Sequence, residues 1–297
     1  MFSICSAKAS IRGRTLVTSP SLFTFRIMRT HRIYTPEYYQ RIDELEQQKY
    51  WWSRGMTEIA ESILDKYIGK ESDAQILDAG CGTGLFMDSL RRYTTKRIVG
   101  VDISPDAIAF CRRRQHSTVC QASVTNLPFS DASFDLITCN DVLHHVYSRN
   151  SEVLREFYRI LKVSGFLYLR CSAKQRFRLN DDPGMDFHRY ALKEVVEKAI
   201  GAGFEKRLST YVNSLPSMIA DLKNLLKTTK AGAHGNGAYR GLSMEMPAPL
   251  INSLLFGFLK VEAYCIGHSW PIPIGHSTIS LFQKPDSGKA LGKKRFA

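Results

Sequence analysis

Apolar residues fall into two alternating rhythms along most of this chain. Short apolar runs at Gln75 to Asp78, Arg97 to Asp102, Thr118 to Ala122, Phe134 to Cys139 and Phe166 to Cys171 have the length and flanking turn residues of buried strands. Between them, apolar positions recur three and four apart. They do so in Leu85 to Arg92, in the stretch after Ser104-Pro105-Asp106, and in Val153, Leu154, Phe157, Ile160 and Leu161, as in a helix that buries one face. Strands that alternate with helices predict a parallel sheet with crossover connections. Ser104 is suited to a helix N-cap, Pro105 to the first helical position and Asp106 to the positive end of the helix, so this boundary is well marked.

On either side the pattern changes. From Thr35-Pro36 onward, Ile42, Leu45, Ile59, Ile63 and Leu64 stand at helical spacings and predict a helical cap over residues 37–73. Beyond the fifth strand, a helix from Leu192 to Ile200 precedes a sixth strand, Phe204 to Val212, and Ser277 to Lys284 reads as a seventh. The connection between the last two is far longer than tight domains use, so 213–270 reads as an insertion. Within it, Ala231 to Gly241 carries four glycines and no acid, and Leu250, Ile251, Leu254, Leu255, Phe258 and Leu259 predict an amphipathic helix. Asn252, Lys260 and Glu262 interrupt that apolar run short of the roughly 20 residues a membrane span needs. No transmembrane segment is expected; 249–262 reads instead as a lid or as a peripheral membrane contact.

The formal charge of +13 invites a nucleic-acid reading. Most of the excess, however, lies in a basic leader over 1–36 and a basic tail over 285–297, leaving the body near balance. The leader, rich in Ser, Thr and Arg through residue 33, has the composition of a transit peptide, which would address the chain to the mitochondrial matrix. A start at Met28 gives the same look and leaves the expectation cytoplasmic. Seven cysteines, at 5, 81, 111, 120, 139, 171 and 265, form neither a C-x-x-C pair nor a zinc spacing, so no metal is expected and a reducing compartment is. Arg112, Arg113 and Arg114 read as a solvated face. Arg170, Lys174, Arg176 and Arg178 follow a strand where α/β sheets open toward ligands, and either face solvent or meet an anionic substrate.

The chemistry is concentrated in Ile76-Leu-Asp-Ala-Gly-Cys-Gly-Thr-Gly-Leu-Phe86, a strand, a glycine turn and a helix start. Its G-x-G-x-G spacing departs from the G-x-G-x-x-G of dinucleotide folds, and Asp78 would repel a pyrophosphate but suit a cation. With VDIS at Val101 to Ser104, LPF at Leu127 to Phe129 and FDLITCNDVLHHV at Phe134 to Val146, the chain resembles the class I S-adenosylmethionine-dependent methyltransferases. EFYRIL at Glu156 to Leu161 and the run Val163 to Leu169 extend the resemblance over about residues 74–172. It implies an α/β fold with a Rossmann-like, doubly wound, mostly parallel seven-stranded sheet. The N-terminal helical cap would precede it, the helical insertion would lie before the last strand, and the catalytic domain would cover 74–284.

The resemblance further implies S-adenosyl-L-methionine as cofactor. Asp78, Ala79, Gly80, Cys81, Gly82 and Gly84 would hold its methionine half, with the amides of Gly80 and Gly82 and the Asp78 carboxylate facing it. Asp102 would take the ribose hydroxyls, and Ile103 would lie on the adenine or in the core. Ser123 stands where relatives carry an acid toward the adenine amino group, with Val124 as a main-chain alternative. Asn140, with Asp141, ends the fourth strand beside the transferable methyl group. His144 and His145 follow as candidate bases or as histidines bonded to backbone. Tyr50-Trp51-Trp52-Ser53-Arg54 and His188-Arg189-Tyr190 read either as acceptor-pocket walls or as packing. The function expected is O-methyl transfer to a small or lipid-linked acceptor. Its rivals are tRNA base methylation and a non-catalytic cofactor-binding subunit that activates a partner.

Overall fold

Strand β1 (Ile76–Ala79) is buried along its whole length, as an inner strand of a sheet covered on both faces must be. The computed structural model describes residues 34–174, 188–218 and 245–286. Six further strands, β2 (Val99–Asp102), β3 (Val119–Gln121), β4 (Phe134–Asn140), β5 (Leu161–Ser172), β6 (Glu205–Val212) and β7 (Ser277–Gln283), join β1 in the order β3-β2-β1-β4-β5-β7-β6. All neighbouring pairs are parallel except those of β7, which is antiparallel to both β5 and β6. The order reverses between β1 and β4, and the crevice beyond the carboxyl ends of the strands at such a reversal is where open α/β sheets bind ligands.

Side-chain alternation divides the core in two. Ile76, Leu136, Tyr168 and Ile279 face one side, and Leu77, Ile137, Leu167 and Phe282 the other. Helices α5 (Asn150–Ile160) and α6 (Leu192–Gly201) cover the second face. The first is covered by α2 (Trp51–Tyr67), α3 (Leu85–Leu90) and a long helix, α7 (Pro249–Gly267). Strand β5 starts five residues earlier than its apolar run predicts, because α5 delivers the chain directly into it and a register shift opposite Phe134/Leu136 absorbs the extra length.

The helical cap is present as α1 (Pro36–Gln47) and α2. Thr35 caps α1 by accepting the Tyr38 N–H at 3.3 Å, and α4 (Pro105–Arg113) begins as its sequence predicts, with Ser104 accepting from Ala107. Arg114, expected on a solvated face, instead bonds Asp43 at 2.6 Å and Glu46 at 2.9 Å and so ties α4 to α1.

Helix α7 differs from the expected lid in the distribution of its polar residues. It runs for 19 residues and is long and apolar enough to cross a membrane by length and composition alone. Asn252 and Glu262 are nevertheless buried, while Leu250, Leu254, Val261 and Tyr264 point outward. The buried polar groups are satisfied from the body. Asn252 Oδ1 accepts the Trp51 N–H at 2.9 Å, and Glu262 accepts the Asn213 and Ser214 N–H groups at 2.6 and 2.7 Å. The helix lies against α2, where a Cβ at Gly55 would come within 2.2 Å of Leu259 Cδ1. The glycine-rich stretch 231–241, with Arg176 and Arg178, lies outside the described residues, as do 1–33 and 287–297.

Candidate active site

The turn after β1 sits at the sheet reversal, with Gly80, Gly82 and Gly84 all at positive φ. Only Gly82 borders open space; a Cβ at Gly80 would come within 2.1 Å of Val142, and one at Gly84 would meet His116 and Cys111. The close approach to a ligand foreseen for three glycines is therefore available at one. The main-chain amides differ from expectation too. Gly80 and Cys81 both donate to the Val101 carbonyl, at 2.7 and 2.9 Å, and Gly82 donates to Asp102 Oδ2 at 3.0 Å. These N–H groups knit the turn to β2 instead of pointing at a ligand. Ala79 is core, and the Cys81 thiol lies 3.6 Å from that of Cys111.

Asp102 ends β2 with its carboxylate fixed by two amides, Gly82 on Oδ2 and Ser104 on Oδ1 at 2.9 Å. Each oxygen keeps lone-pair capacity for a further donor. Ile103 beside it is 60% exposed, so its side chain is a free apolar surface at the crevice and not a core residue. Ser123 is engaged locally, its hydroxyl 2.8 Å from that of Thr125, and the Val124 side chain is buried in the second core.

Asp78 is buried below the turn on the α2 face. Thr138 donates to it at 2.7 Å, and desolvation pushes its pKa up to about 7 despite that bond and the nearby Arg170. A carboxylate held up by burial gains most from an added positive charge. Asp141, at φ 57, accepts from Arg170 Nε at 2.8 Å, and Arg170 Nη2 is 2.7 Å from the same oxygen. The sequence left Arg170 open as an anion-binding cation; it is buried and neutralised by this pair.

Between these groups stands Asn140, whose side-chain oxygen and nitrogen are both buried without a hydrogen-bond partner. A buried polar pair without partners is rare in folded proteins and marks a place where a ligand can supply them. The exposed Ile103, the fixed Asp102 carboxylate, the open side of Gly82 and the orphaned Asn140 amide line one edge of the sheet. This edge fits an adenosyl sulfonium: apolar area for the base, a carboxylate for the ribose and negative potential for the sulfur.

The two histidines separate. His144 is buried, its Nδ1 accepts the Ser172 N–H at 3.2 Å, and burial lowers its pKa to about 3. With the Nδ1 lone pair engaged, the remaining ring nitrogen carries the proton, so His144 has no site from which to act as a base. His145 is half-buried and its Nε2 meets the Tyr34 hydroxyl. His188 lies 3.0 Å from Glu194 and stacks on Tyr147, and Tyr190 is fully buried under Leu143, so this trio supports the loop. Trp51 anchors α2, whereas Trp52 carries the Arg170 guanidinium 4.9 Å from its ring centroid.

Sequence reasoning missed what α1 and the residue leading into it bring. Glu46 accepts from Thr83 of the glycine turn at 2.8 Å, Tyr34 reaches His145, and Tyr39 packs against Phe110 beside Ser104. The density of tyrosines at 34, 38 and 39 was the available signal. Among the described residues no cluster of three metal-ligating side chains occurs, and none of the six cysteines there forms a disulfide.

Comparison with known proteins agrees with this geometry. Residues 77–169 match the family described as Methyltransferase domain. The chain is 31% identical over 174 residues to the malonyl-[acyl-carrier protein] O-methyltransferase of Herminiimonas arsenicoxydans, covering 56% of this chain and 65% of that one. It is 27% identical over 212 residues to the mitochondrial ubiquinone biosynthesis O-methyltransferase of Saccharomyces cerevisiae, covering 69% and 60%. Against several curated relatives the chain spans about half of their length. In fold it superposes on the Haemonchus contortus phosphoethanolamine N-methyltransferase 2 in complex with S-adenosyl-L-methionine, with a TM-score of 0.56 and 16% identity over 86% of this chain and 59% of that one. Motif order, sheet order and the match over residues 77–169 together show that this chain carries a methyltransferase domain of the S-adenosylmethionine-dependent kind.

Proposed function

We propose that the chain transfers a methyl group from S-adenosyl-L-methionine to an oxygen of a small or lipid-linked acceptor. The observation that carries this reading is the unpaired Asn140 amide, held on the same edge as the Asp102 carboxylate and the open side of Gly82. When bound, the cofactor supplies an activated methyl group on a positive sulfur, which needs little acid–base help to leave.

The chain's own contribution is alignment and charge. Asp102 holds the ribose, Asp78 provides the compensating negative charge, and Asn140 orients the acceptor by hydrogen bonding. His145, the histidine whose ring faces Tyr34, receives the acceptor's proton. Similarity to two O-methyltransferases supports oxygen as the target atom. The outward apolar residues Leu250, Leu254 and Val261 support an amphiphilic acceptor presented at a membrane surface along 249–262.

The test is incubation of the purified full chain with methyl-labelled cofactor and separated lipid, small-molecule, RNA and protein fractions of a cell extract. Label in base-stable ether or base-labile ester form among lipids or small molecules is the expected result. Label confined to RNA or protein would overturn the reading.

A further inference from the structure

Beneath the first turn of α2 the sheet carries a polar cluster that a core would normally exclude. Asp78, Thr138, Asn140, Tyr168 and Arg170 alternate onto the same face of β1, β4 and β5. Asn140 and Arg170 are register partners, and Trp52 of α2 lies over Arg170. Three of these residues are incompletely satisfied. Trp52 Nε1, the Tyr168 hydroxyl and both amide atoms of Asn140 are buried with no hydrogen-bond partner. Tyr168 is 0% exposed, so bulk solvent does not supply the missing bonds. Buried polar groups in this state are unfavourable unless something supplies their partners.

The kind of partner follows from the inventory. Trp52 Nε1 can only donate, the Asn140 carbonyl can only accept, and the Tyr168 hydroxyl can do either. The ligand must therefore bring both a donor and an acceptor. Charge narrows the choice further. The one cation in the cluster, Arg170, is bonded through Nε and Nη2 to Asp141 and lies near Asp78, so no positive charge is left over for an anion. A carboxylate or phosphate brought here would be buried beside two acidic side chains without compensation.

We propose that Trp52, Asn140 and Tyr168 form the acceptor-recognition site, and that it selects an uncharged hydroxyl- or carboxamide-bearing group over an anionic one. This rests on the methyl-transfer reading above. It assigns specificity to Trp52 and Tyr168, which lie outside the cofactor motifs.

The test uses the full chain saturated with S-adenosylhomocysteine and three probes of similar size: benzyl alcohol, benzamide and benzoate, followed by ligand-observed NMR. The two neutral probes are expected to bind, with benzoate about tenfold weaker. Tyr168→Phe and Trp52→Phe are each expected to weaken the neutral probes about fivefold. Both variants should keep their affinity for S-adenosylhomocysteine, and Tyr168→Phe, having lost an unpaired hydroxyl, should melt no lower than the parent protein. Benzoate binding as tightly as benzamide, no binding of the neutral probes, or unchanged neutral-probe affinity in both variants would overturn the proposal. So would a lowered melting temperature for Tyr168→Phe, which would make the hydroxyl structural. If S-adenosylhomocysteine itself failed to bind, the methyl-transfer reading would fall instead.

Discussion

Asp102 accepts the main-chain N–H of Gly82 at 3.0 Å, and that bond joins the end of β2 to the open point of the glycine turn. The same carboxylate holds the start of α4 through Ser104. One side chain thus fixes three elements around the crevice and still has lone pairs facing it. Asp102→Ala is expected to weaken S-adenosylhomocysteine binding by about 10- to 150-fold in calorimetry, the equivalent of one charge-assisted bond. Undiminished affinity would mean that the ribose is held elsewhere.

Asp78 makes a prediction of opposite sign for stability and for binding. Burial raises its pKa from 3.8 to about 7, so near pH 6 the folded protein retains a proton that the unfolded chain has released. That linkage lowers stability as pH rises from about 4 to about 7. Asp78→Asn should therefore melt higher than the parent at pH 8, by an amount on the order of 2–4 kcal/mol, and show little gain at pH 4. It should also bind the sulfonium cofactor more weakly than the parent does. Thermal melts at the two pH values, paired with calorimetry, check both halves.

For His144 the linkage runs the other way. Its folded pKa is depressed from 6.5 to about 3, so its contribution is complete above pH 6.5 and is lost as pH falls toward 3, at up to about 1.4 kcal/mol per pH unit. His144→Gln should flatten that part of the stability profile in acid denaturation experiments. A profile as steep as the parent's would show that His144 is not the group responsible.

His145 is the separate case, because its ring reaches Tyr34 and is only half-buried. As the proton acceptor, it predicts a fall in kcat of about 10²- to 10⁴-fold in His145→Ala and loss of the acidic limb of the pH–rate profile. Unchanged turnover would remove it from the mechanism.

Glu262 binds α7 to the end of β6 through two amides and the Ser214 hydroxyl at 2.5 Å. Glu262→Ala strands those donors in a buried place and should destabilise the protein by about 2–5 kcal/mol, read as a lowered urea midpoint. A midpoint within error of the parent would show that water reaches the cleft.

Local pattern was enough for much of this fold. The glycine turn, the capped start at Ser104-Pro105, the period-two strands and the acid ending β2 are encoded in residues adjacent in sequence, where backbone sterics and capping act over a few positions. Seven strands, the helical cap and the inserted helix could be placed from that information. What it could not supply was which groups would be consumed by neighbours distant in the chain. The amides of Gly80 and Gly82 were expected to face a ligand, yet both are bonded to β2. Arg170 was left open to an anion and is matched by Asp141. His144 was a candidate base and is turned to Ser172.

The same limit explains α7. A helix's apolar count is read from its sequence, but which face is buried depends on the surface it meets. Here Asn252 and Glu262 turn inward because Trp51, Asn213 and Ser214 present N–H groups that must be paired. Hydrophobic periodicity is a local property, so the sequence alone determined the elements and the order of the motifs. Pairing of buried polar groups is set by partners as distant in sequence as Trp51 and Asn252, 201 residues apart, so only the tertiary structure decided which site residues remain available for chemistry.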